Sequence, residues 1–238
     1  VNRSELPTLV LLPGMDGTGQ LFSPLVSALG PDVETIVVHY PYDVSLSYEE
    51  LEAIARKSLP TDRPFILLGE SFSGPIAISL TALHLPQQIG LILCSTFIQN
   101  PRPAFKSLKH LTPLLPIELF PTQWLSKILL GRFSTASLRA ALNEAITQVT
   151  PSVMRSRLRS VVEVDVLAQL ARVDITTLYL RARQDWVVPE SASMQVLKAN
   201  FKVTEVVLDA PHCLLQASPM ESARAIRDFM GRVIPAVE

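Results

Sequence analysis

Short runs of consecutive apolar residues recur along the chain, at Thr8–Leu12, Thr35–His39, Phe65–Leu68, Leu91–Cys94, Thr177–Leu180 and Val203–Leu208. Most are continuous rather than alternating, which predicts parallel strands covered on both faces. Between them, Leu21–Leu29, Tyr48–Ser58, Phe72–His84, Ser191–Ala199 and Pro219–Met230 read as helices. Strands that alternate with helices predict an α/β fold with a doubly wound, mostly parallel sheet.

The alternation breaks between Gln99 and Leu170. Pro101, Pro103, Pro113, Pro116 and Pro121 crowd the first part of this stretch, and helix-like segments follow over Trp124–Leu130, Ser137–Val149 and Val153–Leu170. A structureless loop of that length is rare in a compact domain. The pattern therefore predicts a helical lid over residues 99–171, inserted into a core made of residues 1–98 and 172–238. Charge supports an insertion with its own surface: Asn100 to Arg172 carries ten Lys/Arg and four Asp/Glu, while the rest carries eleven and eighteen. Within the insertion, Arg155, Arg157 and Arg159 read as a solvated helix face.

Composition narrows the class. Of 238 residues, 48% are hydrophobic and 18% charged, which supplies a core and excludes a disordered chain. A net charge of −1 gives no global pull toward nucleic acid or a membrane surface. No apolar stretch approaches the length of a membrane span, and no charged-then-apolar leader is visible ahead of the first strand. Val1 is not a start methionine, so a leader trimmed earlier is compatible with this sequence. Cys94 lies in an apolar run, and two cysteines make no disulfide framework, so a cytoplasmic location is expected.

Glycine placement gives the first chemical clue. Of nine glycines, Gly14, Gly17 and Gly19 follow the first strand, and Gly69 and Gly74 follow the third. The third strand runs directly into Gly69-Glu70-Ser71-Phe72-Ser73-Gly74, so a serine flanked by small residues stands where a strand turns at once into a helix. This resembles the nucleophile elbow of the α/β-hydrolase family, whose tight turn lifts a serine hydroxyl above the sheet. Ser73 stands where that family usually carries glycine. Ser73 as nucleophile would itself need small neighbours, and Pro75 does not suit the second position.

The resemblance covers about residues 6–98 and 172–234 and implies the chain order serine, acid, histidine. Among four histidines, His212 alone follows the last strand, where the family carries its base. The stretch Arg181-Ala182-Arg183-Gln184-Asp185-Trp186-Val187-Val188-Pro189 resembles the family's Gly-x-x-Asp-x-Val-x-Pro segment, which makes Asp185 the acid. Asp209, three residues before the histidine, is the competitor. The chemistry needs such a set: a serine hydroxyl is a weak nucleophile without a base, and a carboxylate holds the base in the correct tautomer. The loop Pro13-Gly14-Met15 stands where relatives begin with His-Gly, and by that resemblance the backbone N–H groups of Met15 and Phe72 form the oxyanion hole. The glycine order of this loop does not match a dinucleotide fingerprint.

The resemblance thus implies a serine hydrolase that needs no cofactor or metal and acts on a small-molecule acyl ester. Phe105, Phe120, Phe133 and Trp124 of the lid, and Trp186 beside the acid, are candidate substrate contacts. Acyl transfer, thioester or lactone cleavage are alternatives on the same three residues, since fold does not set substrate. A binding protein without catalysis is the alternative of a different class.

Overall fold

A strand whose residues are nearly all apolar must be covered on both faces, and this is the arrangement found. The computed structural model describes residues 6–103 and 122–234. The strands are β1 (Thr8–Leu12), β2 (Thr35–Val37), β3 (Phe65–Glu70), β4 (Gln88–Cys94), β5 (Thr177–Ala182) and β6 (Val203–Leu208). They form a sheet of order β2-β1-β3-β4-β5-β6 in which every neighbouring pair is parallel. The helices of the first half are α1 (Ser23–Leu29), α2 (Tyr48–Lys57) and α3 (Gly74–Thr81). Between β4 and β5 lie α4 (Thr122–Leu130), α5 (Ala136–Thr147), α6 (Pro151–Glu163) and α7 (Leu167–Arg172), and the chain ends with α8 (Glu190–Ala199), α9 (Leu214–Ala217) and α10 (Pro219–Val233).

Successive side chains of a strand point to opposite faces, so each strand feeds two cores. Leu9 and Leu11 of β1 join Ile66, Ile92 and Leu178 against Leu25 of α1 and Phe229 of α10. Val10 and Leu12 join Leu67, Leu91 and Tyr179 against Leu51 of α2, Ile76 of α3 and Val196 of α8. Each fully buried Leu, Ile, Val or Phe contributes roughly 1.5–3 kcal/mol relative to exposure. This double burial is why the strands read as unbroken apolar runs.

Several expected boundaries differ, each for a local reason. The second strand stops at Val37, and His39 turns its ring onto the Thr18 carbonyl. The third strand extends through Glu70, and the expected helix from Phe72 opens as a single 3-10 turn over Ser71–Ser73. The segment Val153–Leu170 divides into α6 and α7. Val164 is extended there, and the Val166 N–H donates to the Ile98 carbonyl at 2.9 Å. Gln99 and Asp165 form an antiparallel bridge beside that bond. The chain between β4 and β5 therefore departs and returns at one stem. After it, α7 packs onto the sheet core through the fully buried Leu170.

Within that stretch, Leu130 of α4 and Leu142 of α5 cluster with Cys213 and with Leu21 after β1. The Cys213 N–H also donates to the Leu129 carbonyl at 3.1 Å. The end of α4 thus rests on the loop that follows β6.

Candidate active site

The carboxyl ends of β3, β5 and β6 bring three side chains together. Ser71 Oγ lies 2.9 Å from His212 Nε2, and His212 Nδ1 lies 2.8 Å from Asp185 Oδ2. A carboxylate can only accept, so Nδ1 carries the proton and Nε2 is left free to accept one. Asp185 Oδ1 accepts from the N–H groups of Val187 and Val188, each at 2.8 Å. The carboxylate is thereby held with both oxygens engaged.

Ser71 sits at φ 48°, a left-handed conformation uncommon for a residue with a side chain, of order 1–3 kcal/mol above ordinary backbone. Its surroundings hold it there. Thr96 Oγ1 donates to the Ser71 carbonyl, and Tyr48 Oη donates to the Phe72 carbonyl at 3.0 Å. The Tyr48 and Phe72 rings stack at 4.7 Å between centroids. Two glycines make the approach possible. A Cβ on Gly69 would stand 2.7 Å from the Ser73 carbonyl, and one on Gly74 would overlap the Thr96 side chain.

Ser73 is fully buried and faces away from His212. Its hydroxyl donates to the Pro13 carbonyl and lies 3.1 Å from Tyr40 Oη, which is then its donor. The residue that replaces the family's usual glycine is therefore a strut between the elbow and the loop after β1.

Every carbonyl from Pro13 to Thr18 in that loop accepts a hydrogen bond. Pro13 is held by Ser73 Oγ, Gly14 by the Gly17 N–H at 3.0 Å and Gly17 by the Tyr40 N–H at 2.8 Å. The Thr18 carbonyl takes the proton of His39 Nδ1. The Met15 and Asp16 carbonyls both accept from Arg157 Nη1, at 2.7 and 2.9 Å, and Arg157 Nη2 reaches the Pro41 carbonyl at 2.8 Å. Arg157 does not belong to a solvated face: only 2% of it is exposed. Its helix position explains this, since Val153, Arg157 and Val161 recur every four residues and form the buried stripe of α6. That spacing was the available signal, masked by the flanking Arg155 and Arg159.

Charge is concentrated beneath the site. Burial raises the Glu70 carboxyl to about 7, with Asp16 adding to the rise and the Gln216 hydrogen bond and His212 opposing it. Gln216 Nε2 donates to Glu70 Oε1 at 2.9 Å, while Gln216 Oε1 is buried without a partner. For His212, burial pulls the pKa down, but the charge and hydrogen bond of Asp185 and the charge of Glu70 outweigh it, and the net direction is upward from 6.5.

Asp209, the rival acid, points elsewhere and pairs with Arg132 Nη2 at 2.6 Å and with Gln184 Nε2 at 2.6 Å. Met15 is half-buried and Phe72 buried at the start of the turn. Trp124 and Trp186 are 64% and 69% exposed. Phe105 and Phe120 lie outside the described residues. Among the described residues, no group of three or more His, Cys, Asp or Glu is arranged to hold a metal ion.

The model of the alpha/beta hydrolase family matches residues 9–225. The chain belongs to that family. It is an enzyme of the hydrolase type, with the family's parallel sheet and flanking helices. Phytyl ester synthase 1 of Arabidopsis thaliana is 35% identical over 126 residues, a match that covers 50% of this chain and only 17% of that relative. RutD of Serratia proteamaculans, named for carbamate hydrolysis, is 27% identical over 217 residues, covering 80% of this chain and 78% of that one. Among solved structures, a thermophilic esterase from Thermogutta terrifontis superposes with a TM-score of 0.81 at 19% identity, covering 97% and 91% of the two chains. At that identity the likeness speaks for the fold alone.

Proposed function

We propose that this alpha/beta hydrolase cleaves carboxylic esters of small to medium apolar acids through an acyl-enzyme on Ser71. The observation that carries this reading is the continuous relay from Ser71 Oγ through His212 to Asp185, at 2.9 and 2.8 Å. In it, His212 Nε2 takes the Ser71 proton as Oγ attacks the ester carbonyl carbon. The N–H groups of Met15 and Phe72 stabilise the tetrahedral oxyanion, a contribution of about 3–4 kcal/mol per donor. The intermediate collapses to an ester on Ser71 while His212 returns the proton to the departing alcohol. Water, deprotonated by His212, then attacks the acyl carbon, and the second tetrahedral intermediate breaks its bond to Ser71 Oγ and releases the carboxylic acid, while His212 returns the proton to Oγ. Asp185 holds the imidazole in the tautomer that permits both transfers.

A panel of esters, thioesters, lactones and carbamates tests the substrate class, with esters expected to give the highest kcat/KM. Lactone or carbamate preference would keep the acyl-enzyme and move the substrate. A second reading is transfer of the acyl group to an alcohol, favoured by the match to a relative named for ester synthesis. Turnover with a long-chain alcohol present separates the two: new ester as the main product supports transfer, free acid supports hydrolysis.

We assign α4, α5 and α6, between β4 and β5, the role of an acyl-binding lid. The exposed Trp124 and Ile128 lie one helical turn apart on α4, whose end is tied to the histidine loop. Burying one methylene contributes about 0.8 kcal/mol, or about fourfold in kcat/KM. Specificity should therefore climb from acetyl to a medium-chain ester and then fall. Trp124→Ala should flatten that climb more than it lowers acetyl turnover; equal losses at all chain lengths would make α4 a structural cover. Trp186, beside the acid, is the second expected contact. A cytoplasmic site of action fits two buried free thiols, and among the described residues no helix is long and apolar enough to cross a membrane.

The charges around His212 predict the pH profile. The base must be neutral to accept a proton, so kcat/KM should rise with pH through a pKa above 6.5, the direction in which Asp185 and Glu70 push it. Glu70→Gln removes one of those charges, so the acidic limb should move to lower pH. A limb that stays in place would mean that Glu70 carries no charge felt by the base during turnover.

A further inference from the structure

Among the described residues, Arg157 is the least exposed charged side chain outside the Ser71–His212–Asp185 relay, and nothing in that relay uses it. Burying a guanidinium costs several kcal/mol unless its donors are satisfied. Three backbone carbonyls do so here, Met15, Asp16 and Pro41. A tie that only fastened α6 to the core would be made more cheaply by an apolar side chain between Val153 and Val161. The loop is also shaped to admit the group: a Cβ on Gly17 would stand 2.7 Å from Arg157 Nη1, and Gly17 holds φ 70°. The face of Tyr40 lies 6.0 Å from the guanidinium carbon, and the same Tyr40 supports Ser73 from its hydroxyl end.

The consequence follows from peptide geometry. Peptide planes are rigid, and only two soft angles at Met15 relate the plane before it to the plane after it. The plane that carries the Met15 N–H is anchored through the Gly14 carbonyl. The following plane is anchored through the Met15 carbonyl, and the next through the Asp16 carbonyl, both by Arg157. With both sides of the Met15 Cα held, the direction of its N–H is set. We propose that Arg157, reaching from α6, is a positioning residue that orients the Met15 amide toward the developing oxyanion. Turnover then depends on α6 being docked. The inference rests on the acyl-enzyme reading, in which Met15 is a donor to that oxyanion. Lysine cannot replace the planar fork, because one ammonium does not span three carbonyls.

The test uses the full chain, Arg157→Met and Arg157→Lys, with a chromogenic medium-chain ester as substrate and a medium-chain alkyl trifluoromethyl ketone as inhibitor. The ketone adduct on serine places its oxygen where the oxyanion forms. Loss of a single oxyanion donor costs up to about 100- to 1,000-fold. A misaimed donor should cost about 10- to 100-fold in kcat on the same scale, with KM changed by less than about threefold. The inhibition constant of the ketone should rise in step with the loss of kcat/KM, and the acidic limb should not move, since His212 is untouched. A folded Arg157→Met with unchanged kcat, or a loss of kcat with unchanged ketone affinity, would overturn the proposal. If Arg157→Met does not fold, Arg157→Lys, which keeps the buried positive charge, decides by the same two readouts. Failure of the wild-type protein to react with the ketone or with a fluorophosphonate would instead overturn the acyl-enzyme reading itself.

Discussion

Ser71→Ala is expected to lower ester turnover by roughly 10⁴- to 10⁶-fold and to abolish labelling by a fluorophosphonate, with thermal stability close to that of the wild type. The loss follows from chemistry: without Oγ there is no acyl-enzyme, and the residual rate comes from the oxyanion donors and binding alone. Stability should change little, because alanine keeps the same Cβ at φ 48° and the variant loses only a hydroxyl that serves activity rather than folding. Ser73→Ala is the control that separates the two serines. It should still label fully, since Ser71 keeps its base. Its kcat should nevertheless fall several-fold, because the Ser73 hydroxyl holds the Pro13 carbonyl and with it the loop that presents Met15. Full labelling of Ser71→Ala, or loss of labelling only in Ser73→Ala, would transfer the nucleophile to Ser73.

Asp185→Asn should lower kcat by roughly 10³- to 10⁴-fold while leaving KM within a few-fold. An asparagine can donate to His212 Nδ1 and so stabilise the tautomer whose Nε2 already carries a proton and cannot accept one. The N–H groups of Val187 and Val188 now donate to Asp185 Oδ1. They would compel the asparagine to present its amide oxygen to them and its NH₂ to the histidine. Asp209→Asn should change turnover by less than about twofold, since its partners Arg132 and Gln184 lie on the surface. Equal losses for both variants, or a larger one for Asp209→Asn, would reassign the acid.

Much of this arrangement was legible in the sequence because it is written in short, local patterns. Apolar runs uninterrupted by polar residues mark strands buried on both faces. Gly69, Ser71 and Gly74 mark a turn too tight for ordinary side chains, and Asp185 and His212 follow strand ends where the fold delivers them to the same edge. What stayed hidden depends on contacts between distant segments. Ser73 could be read for its size but not for its hydroxyl, whose acceptor lies 60 residues away. Tyr40 and Tyr48 sit in apolar or helical contexts and show no sign of the carbonyls and hydroxyls they meet. Arg157 is the clearest case. Three arginines at alternate positions suggest a wet surface, yet only one of them shares a helical face with Val153 and Val161, and the helical period distinguishes it from its neighbours. The division of Val153–Leu170 into α6 and α7 was hidden for a similar reason, since the break at Val164–Val166 is imposed by pairing with Ile98 rather than by a proline or glycine.

The most direct test of the central claim is to trap the covalent intermediate. Turnover of a medium-chain activated ester, quenched in acid within the first turnovers and followed by intact and peptide mass measurement, should show protein heavier by one acyl group. The added mass should map to the peptide containing Ser71 and to Ser71 within it, and it should disappear when the substrate is exhausted. Unmodified protein at every time of quench during fast turnover, or an acyl group on Ser73 or Cys213 instead, would contradict an acyl-enzyme on Ser71.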